Sequence, residues 1–152
     1  MNLRSLTVFI FVNLVPLMVF VTSGCHTPPG ALNTASGRPE VVIQGKTASK
    51  ILQTSREFFV LRGYSLMPSD NSNKLVFDRR TEKPGAKRSA SFCWRVRLAL
   101  VDLGNGSHRL SGSPCKVENC GGDLESEWVM PVSYPQIQAL LEQIKAQLQA
   151  AP

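Results

Sequence analysis

Residues 91–102, SFCWRVRLALVD, set Phe92, Trp94, Val96, Leu98 and Leu100 on one side of an extended chain and Cys93, Arg95, Arg97, Ala99 and Val101 on the other. Successive side chains of a strand point to opposite faces, so five large apolar residues spaced by two make one continuous apolar face. A helix would scatter the same residues around its circumference. The opposite face mixes small, apolar and cationic groups, the pattern of an antiparallel sheet covered on one side and partly wet on the other. This stretch predicts a long strand that anchors the fold.

Beyond this strand, Leu103-Gly104-Asn105-Gly106 carries the Asn-Gly signal of a tight hairpin. Residues 107–111 are then expected to return antiparallel, and residues 127–132 to add another strand. Upstream, residues 64–67 and 74–79 flank the turn-rich segment PSDNSN (68–73), which predicts a second hairpin. Residues 80–89, RTEKPGAKRS, read as a charged Pro-Gly loop. EVVIQ at residues 40–44 is a short apolar run between Pro39 and Gly45 and is expected to be the first strand.

Two stretches have helical periodicity instead. Ala48, Ile51, Leu52, Ser55, Phe58, Phe59 and Arg62 follow the i, i+3, i+4, i+7 rhythm, with Thr47 placed as N-cap and Gly63 as the left-handed residue after the end. Near the C-terminus, Ile137, Leu140, Leu141, Ile144 and Leu148 form one stripe. Ser133 and Gln136 have capping-box spacing there, and Pro135 lies in the first turn. The expected order is β-α-β-β-β-β-β-α: an α+β fold of two layers, with an antiparallel sheet and both helices on the face that must be covered. This order is similar to that of helix-grip domains, some of which occur in envelope lipoproteins.

The first 39 residues have a different character. A single cation, Arg4, precedes an apolar run at residues 6–21, and the small residues Thr22-Ser23-Gly24 lead into Cys25. This succession of charge, apolar run and small-residue site is that of a secretory signal. Pro16 and Asn13 make the run a poorer permanent membrane span. Val21-Thr22-Ser23-Gly24-Cys25 resembles the lipobox of bacterial lipoproteins, departing from it at Thr22, where that family most often has Leu. The resemblance implies cleavage by signal peptidase II after Gly24 and diacylglycerol on the Cys25 thiol. In lipoproteins resembling those of Gram-negative bacteria, Asp behind the lipidated cysteine often retains the protein in the inner membrane, so His26 at that position favours the outer membrane. Residues 26–39, HTPPGALNTASGRP, are rich in Pro and Gly and read as a flexible tether. The expected organisation is a signal peptide (1–24), a lipidated N-terminus and tether (25–39) and one α+β domain (40–152).

Cys25 apart, three cysteines remain, and an extracytoplasmic location permits disulfides. Cys115 and Cys120 would close a short loop and are the expected pair; Cys93 paired with one of them is the alternative. Zinc held by these cysteines and His108 is disfavoured by the absence of a C-x2-C knuckle, and no metal is expected. Asp123, Glu125 and Glu127 could share one face and hold calcium, or form a solvated edge.

The formal charge is +6, unevenly spread. Residues 74–116 hold ten Lys or Arg against Asp78, Glu82 and Asp102, whereas residues 118–152 hold five acids against Lys145. Arg79, Arg80, Lys87, Arg88, Arg95 and Arg97 are the candidate basic surface patch. No phosphate loop, nucleophile elbow, H-E-x-x-H or nucleic-acid module is present, so neither catalysis, a cofactor nor nucleic-acid binding is expected. The resulting expectation is a membrane-anchored, non-enzymatic module that binds an envelope protein complex. A carrier of a small apolar or anionic ligand, held in a groove between helix and sheet, is the alternative.

Overall fold

The computed structural model describes residues 32–80, 92–130 and 134–150. Its elements are β1 (Glu40–Gln44), α1 (Ala48–Val60), β2 (Ser65–Met67), β3 (Lys74–Arg80), β4 (Phe92–Gly104), β5 (Ser107–Glu118), β6 (Ser126–Val129) and α2 (Pro135–Ala150). The six strands form one antiparallel sheet in the spatial order β1-β5-β4-β3-β2, with β6 paired to β5 beyond the end of β1. The expected class and element order therefore hold.

The central strand makes the apolar face as its alternation requires. Val96, Leu98 and Leu100 are buried beside Leu75, Phe77, Leu110, Val41 and Ile43. Helix α1 supplies Ile51, Phe58 and Phe59, and α2 supplies Ile137, Leu141, Ile144 and Leu148. The first helix lies over β2, β3 and β4 and the second over β1 and β5, on the same face. Phe59 stacks on Phe77 with ring centres 4.7 Å apart and meets Tyr64 edge-on at 5.1 Å. Each such side chain contributes about 1.5–3 kcal/mol by leaving water.

Local signals fall where expected. Thr47 Oγ1 accepts the Lys50 N–H at the start of α1, and Gly63 has φ +78° just beyond its end. Asn105 and Gly106, both with positive φ, turn β4 into β5, the conformation a two-residue hairpin demands. Pro135 is the first residue of α2, where its missing N–H costs little.

Several strand boundaries differ from expectation. The return strand continues past residue 111 to Glu118, through Gly112 and Pro114. These breakers are tolerated because β5 changes partner there: Gly112 N–H still reaches Pro39 of the β1 side, and Pro114 C=O accepts from Met130 behind β6. The proline nitrogen thus faces the gap between two edge strands. Gly112 has its own reason, since a Cβ there would lie 2.6 Å from Ile137 Cγ2 of α2. The added strand is Ser126–Val129. The end of the tether is also tied down: Glu40 accepts from the N–H and hydroxyl of Ser36, and Gly37 N–H donates to Thr34. The expected signal segment, Cys25, the loop containing Lys87 and Arg88, and the Ser133 cap lie outside the described residues.

Candidate functional site

The two faces of the sheet carry different chemistry at the same end. On the face away from the helices, cross-strand register sets Asp78 of β3 opposite Arg95 of β4, and Arg95 opposite Cys115 of β5. Arg95 Nε and Nη2 donate to the two Asp78 carboxylate oxygens, each at 2.7 Å. Arg95 Nη1 donates to Glu125 at 2.6 Å and also to Glu127, which accepts a further bond from Arg97 Nη2 at 2.6 Å. Arg95 and Asp78 are both buried. A buried guanidinium is tolerable only when its donors are satisfied, and this one is ringed by three carboxylates. The Asp78 bond above all raises the Arg95 pKa, while the bond from Arg95 lowers that of Glu125, aided by the Gly121 N–H.

A disulfide closes the same region. Cys93 of β4 is bonded to Cys120, with Cα atoms 5.9 Å apart, and Cys115 is a buried free thiol. The expected Cys115–Cys120 pair is therefore incorrect, and the alternative partner, Cys93, takes Cys120. Because β5 runs on to Glu118, Cys115 sits mid-strand, three residues and about 10 Å of extended chain before that end. Cys120 lies in the turn that folds back across the outer face toward Cys93. Burial pushes the Cys115 thiol up, away from the reactive thiolate form.

The candidate patch and ligand residues separate accordingly. Arg79 and Arg80 are consecutive in β3 and face opposite sides of the sheet. Arg95 is buried and neutralised, so it is no part of a surface patch, and Arg97 is half-exposed but paired with Glu127. Of the acidic triplet, Glu125 and Glu127 hold Arg95 while Asp123 is exposed, so the three do not form a calcium cage. His108 pairs across the strands with Ile43 and Asp102, at the other end of β5 from Cys115. Among the described residues, one cluster of possible metal donors occurs, Asp78, Cys93 and Cys120, and its two sulfurs are bonded to each other.

On the helix side, the same end of the sheet extends past the cover of the helices. Phe92 and Trp94, expected in the core, are only half-buried. Cross-strand register lines up Arg79, Trp94, Lys116 and Trp128 on β3, β4, β5 and β6. Tyr134, just before α2, lies with its ring 6.2 Å from that of Trp94. Between them opens a cleft of about 180 Å³ lined by Tyr64, Trp94, Pro114, Tyr134, Ile137 and Leu140. Arg79 lies 5.5 Å from the Tyr64 ring centre and Lys116 5.4 Å from that of Phe92. Such a cleft can stack a ring against aromatic faces and meet an anion at its rim. Its tyrosines and proline were not singled out from the sequence; the only signal was the apolar face of residues 92–100, longer than two helices could cover. Neither a protein-family model nor a curated protein matches the chain.

Proposed function

We propose that this chain is a lipid-anchored, non-enzymatic binding module of the bacterial cell envelope, held through Cys25 on the periplasmic side of the outer membrane. The observation that supports this most is the Cys93–Cys120 bond, because structural disulfides persist in oxidising compartments and are rare in the cytosol. That agrees with the order of charge, apolar run, small residues and cysteine at residues 1–25, read independently of it. Lipid on Cys25 would anchor the domain firmly, since each buried CH2 contributes about 0.8 kcal/mol and two or more chains act together. The binding half of the reading is supported by the aromatic cleft at the sheet end, which has stacking surfaces and flanking cations but no nucleophile-base pair. Asp78, Glu125 and Glu127 are taken up by Arg95, and His108, opposite Asp102, lies at the other end of β5 from the cleft.

The test is Cys25→Ser in the full chain. The substitution is expected to abolish labelling by a fatty-acid analogue and to release the protein from the membrane fraction. Unchanged labelling and membrane attachment would overturn the proposal.

A further inference from the structure

The geometry points to the cleft between Trp94 and Tyr134, extended by Trp128, as a binding site for a carboxylate-bearing amino-sugar chain of the cell wall. This rests on the envelope reading for where the ligand is met, and on the cleft alone for its chemistry.

The first element is spacing. Trp94 and Trp128 are on the same face, with only Lys116 of β5 between them. Strands in a sheet are about 4.8 Å apart, so the Cα atoms that carry the two indoles lie roughly 10 Å apart, the span of two pyranose rings in an extended chain. A pyranose presents a face of C–H bonds that packs on an aromatic ring and a rim of hydroxyls that prefers water. Trp94 is half-buried and offers one such surface. Trp128 is 63 % exposed on the short edge strand β6, a large ring with nothing over it among the described residues.

The second element is charge. Arg79 and Lys116 stand directly opposite Trp94 on its two neighbouring strands, so a stacked ring would lie between two cations. Among the described residues Arg79 makes no ion pair and only caps the Tyr64 ring. Lys116 is shared with Glu118 at 3.0 Å, which leaves Arg79 as the partner for a carboxylate. The third element is the pocket. Its lining by Ile137, Leu140 and Pro114 suits the methyl of an N-acetyl group, and Gln136 stands at its edge. Two cations are too few for a nucleic-acid backbone. A proline-rich peptide also fits aromatic grooves but makes no use of Arg79.

The test uses the full chain in detergent, from whichever fraction holds it, titrated with soluble wall glycan released by muramidase and stripped of stem peptide by an amidase, so that its sugar-borne carboxylates are free, while tryptophan fluorescence and heat are recorded. A neutral N-acetylglucosamine tetramer and a proline-rich decapeptide are the comparison probes. Saturable binding is expected, tighter for the carboxylated fragments than for the neutral tetramer. Trp94→Ala and Trp128→Ala should each weaken it about tenfold. Arg79→Ala should erase the preference for the carboxylated probe, while Arg80→Ala, on the other face, should change nothing. Trp128 is exposed, so its variant remains informative if Trp94→Ala fails to fold. No saturation at millimolar fragment, indifference to Trp128→Ala and Arg79→Ala, or tighter binding of the peptide would overturn the inference. Acylation and fractionation do not enter these readings, so failure of the anchor proposal would be seen separately.

Discussion

Replacing Cys93 and Cys120 together by alanine removes the bond that pins the turn after β5 to β4. The two cysteines are 27 residues apart in sequence, and the enclosed segment is most of the β4–β5 hairpin. Closing a loop of that length in the unfolded chain removes entropy worth about 3.5 kcal/mol at 25 °C. A second contribution follows from geometry: the freed turn carries Glu125 toward Arg95, whereas Asp78 is held by β3 whether or not the disulfide is present. Loss of the Glu125 bond is partly compensated by water, because that carboxylate is not deeply buried. The expected loss is therefore about 3–4 kcal/mol, a large share of the 5–15 kcal/mol typical of a domain. Urea unfolding of oxidised wild type and the double variant, with the slopes compared to check two-state behaviour, measures it. Cys115→Ala serves as the control and should leave the bond intact in a non-reducing peptide map. A stability change below about 1 kcal/mol would refute the loop-closure reasoning. A map with Cys115 in the bond would refute the pairing itself.

Gly112→Ala places a methyl where Ile137 Cγ2 would be 2.6 Å away, so α2 must shift outward. A loss of about 1–3 kcal/mol is expected, read from the urea midpoint, and an unchanged midpoint would show that α2 yields freely. Acid sensitivity follows from Glu125, whose pKa the Arg95 bond lowers in the fold. A carboxyl depressed on folding stabilises fully above its unfolded value, near 4.3, and loses that contribution as pH falls through the folded value. Wild type should therefore lose stability more steeply than Glu125→Gln between about pH 5 and 3. Parallel curves would remove Glu125 from the clasp.

What could be read from the sequence was whatever depends on local period. The alternation of residues 92–100, the stripe Ile137, Leu141, Ile144 and Leu148, and the Asn105-Gly106 turn each state their structure within a few residues, and each is found. The pairing of the cysteines is not a local property. It depends on how far β5 runs, and Gly112 and Pro114 look like its end. They are tolerated only because β1 stops and β6 begins beside them, a fact of the whole sheet. The same holds for charge. Asp78, Arg95 and the Glu125–Glu127 segment lie far apart in the chain and meet only through register, so Arg95 and Arg97 of what reads as a basic patch, and Glu125 and Glu127 of what reads as an acidic edge, join one internally satisfied cluster. Of the aromatic cleft only Trp94 was visible; Tyr64, Pro114 and Tyr134 enter it from three other segments.

The central claim is that Cys25 carries lipid and begins the mature protein. Mass spectrometry of the N-terminal peptide, taken from protein purified out of the membrane fraction, tests it most directly. A peptide that starts at Cys25 and bears thioether-linked diacylglycerol is expected. A chain that starts at Met1, or a Cys25 without lipid, would contradict it.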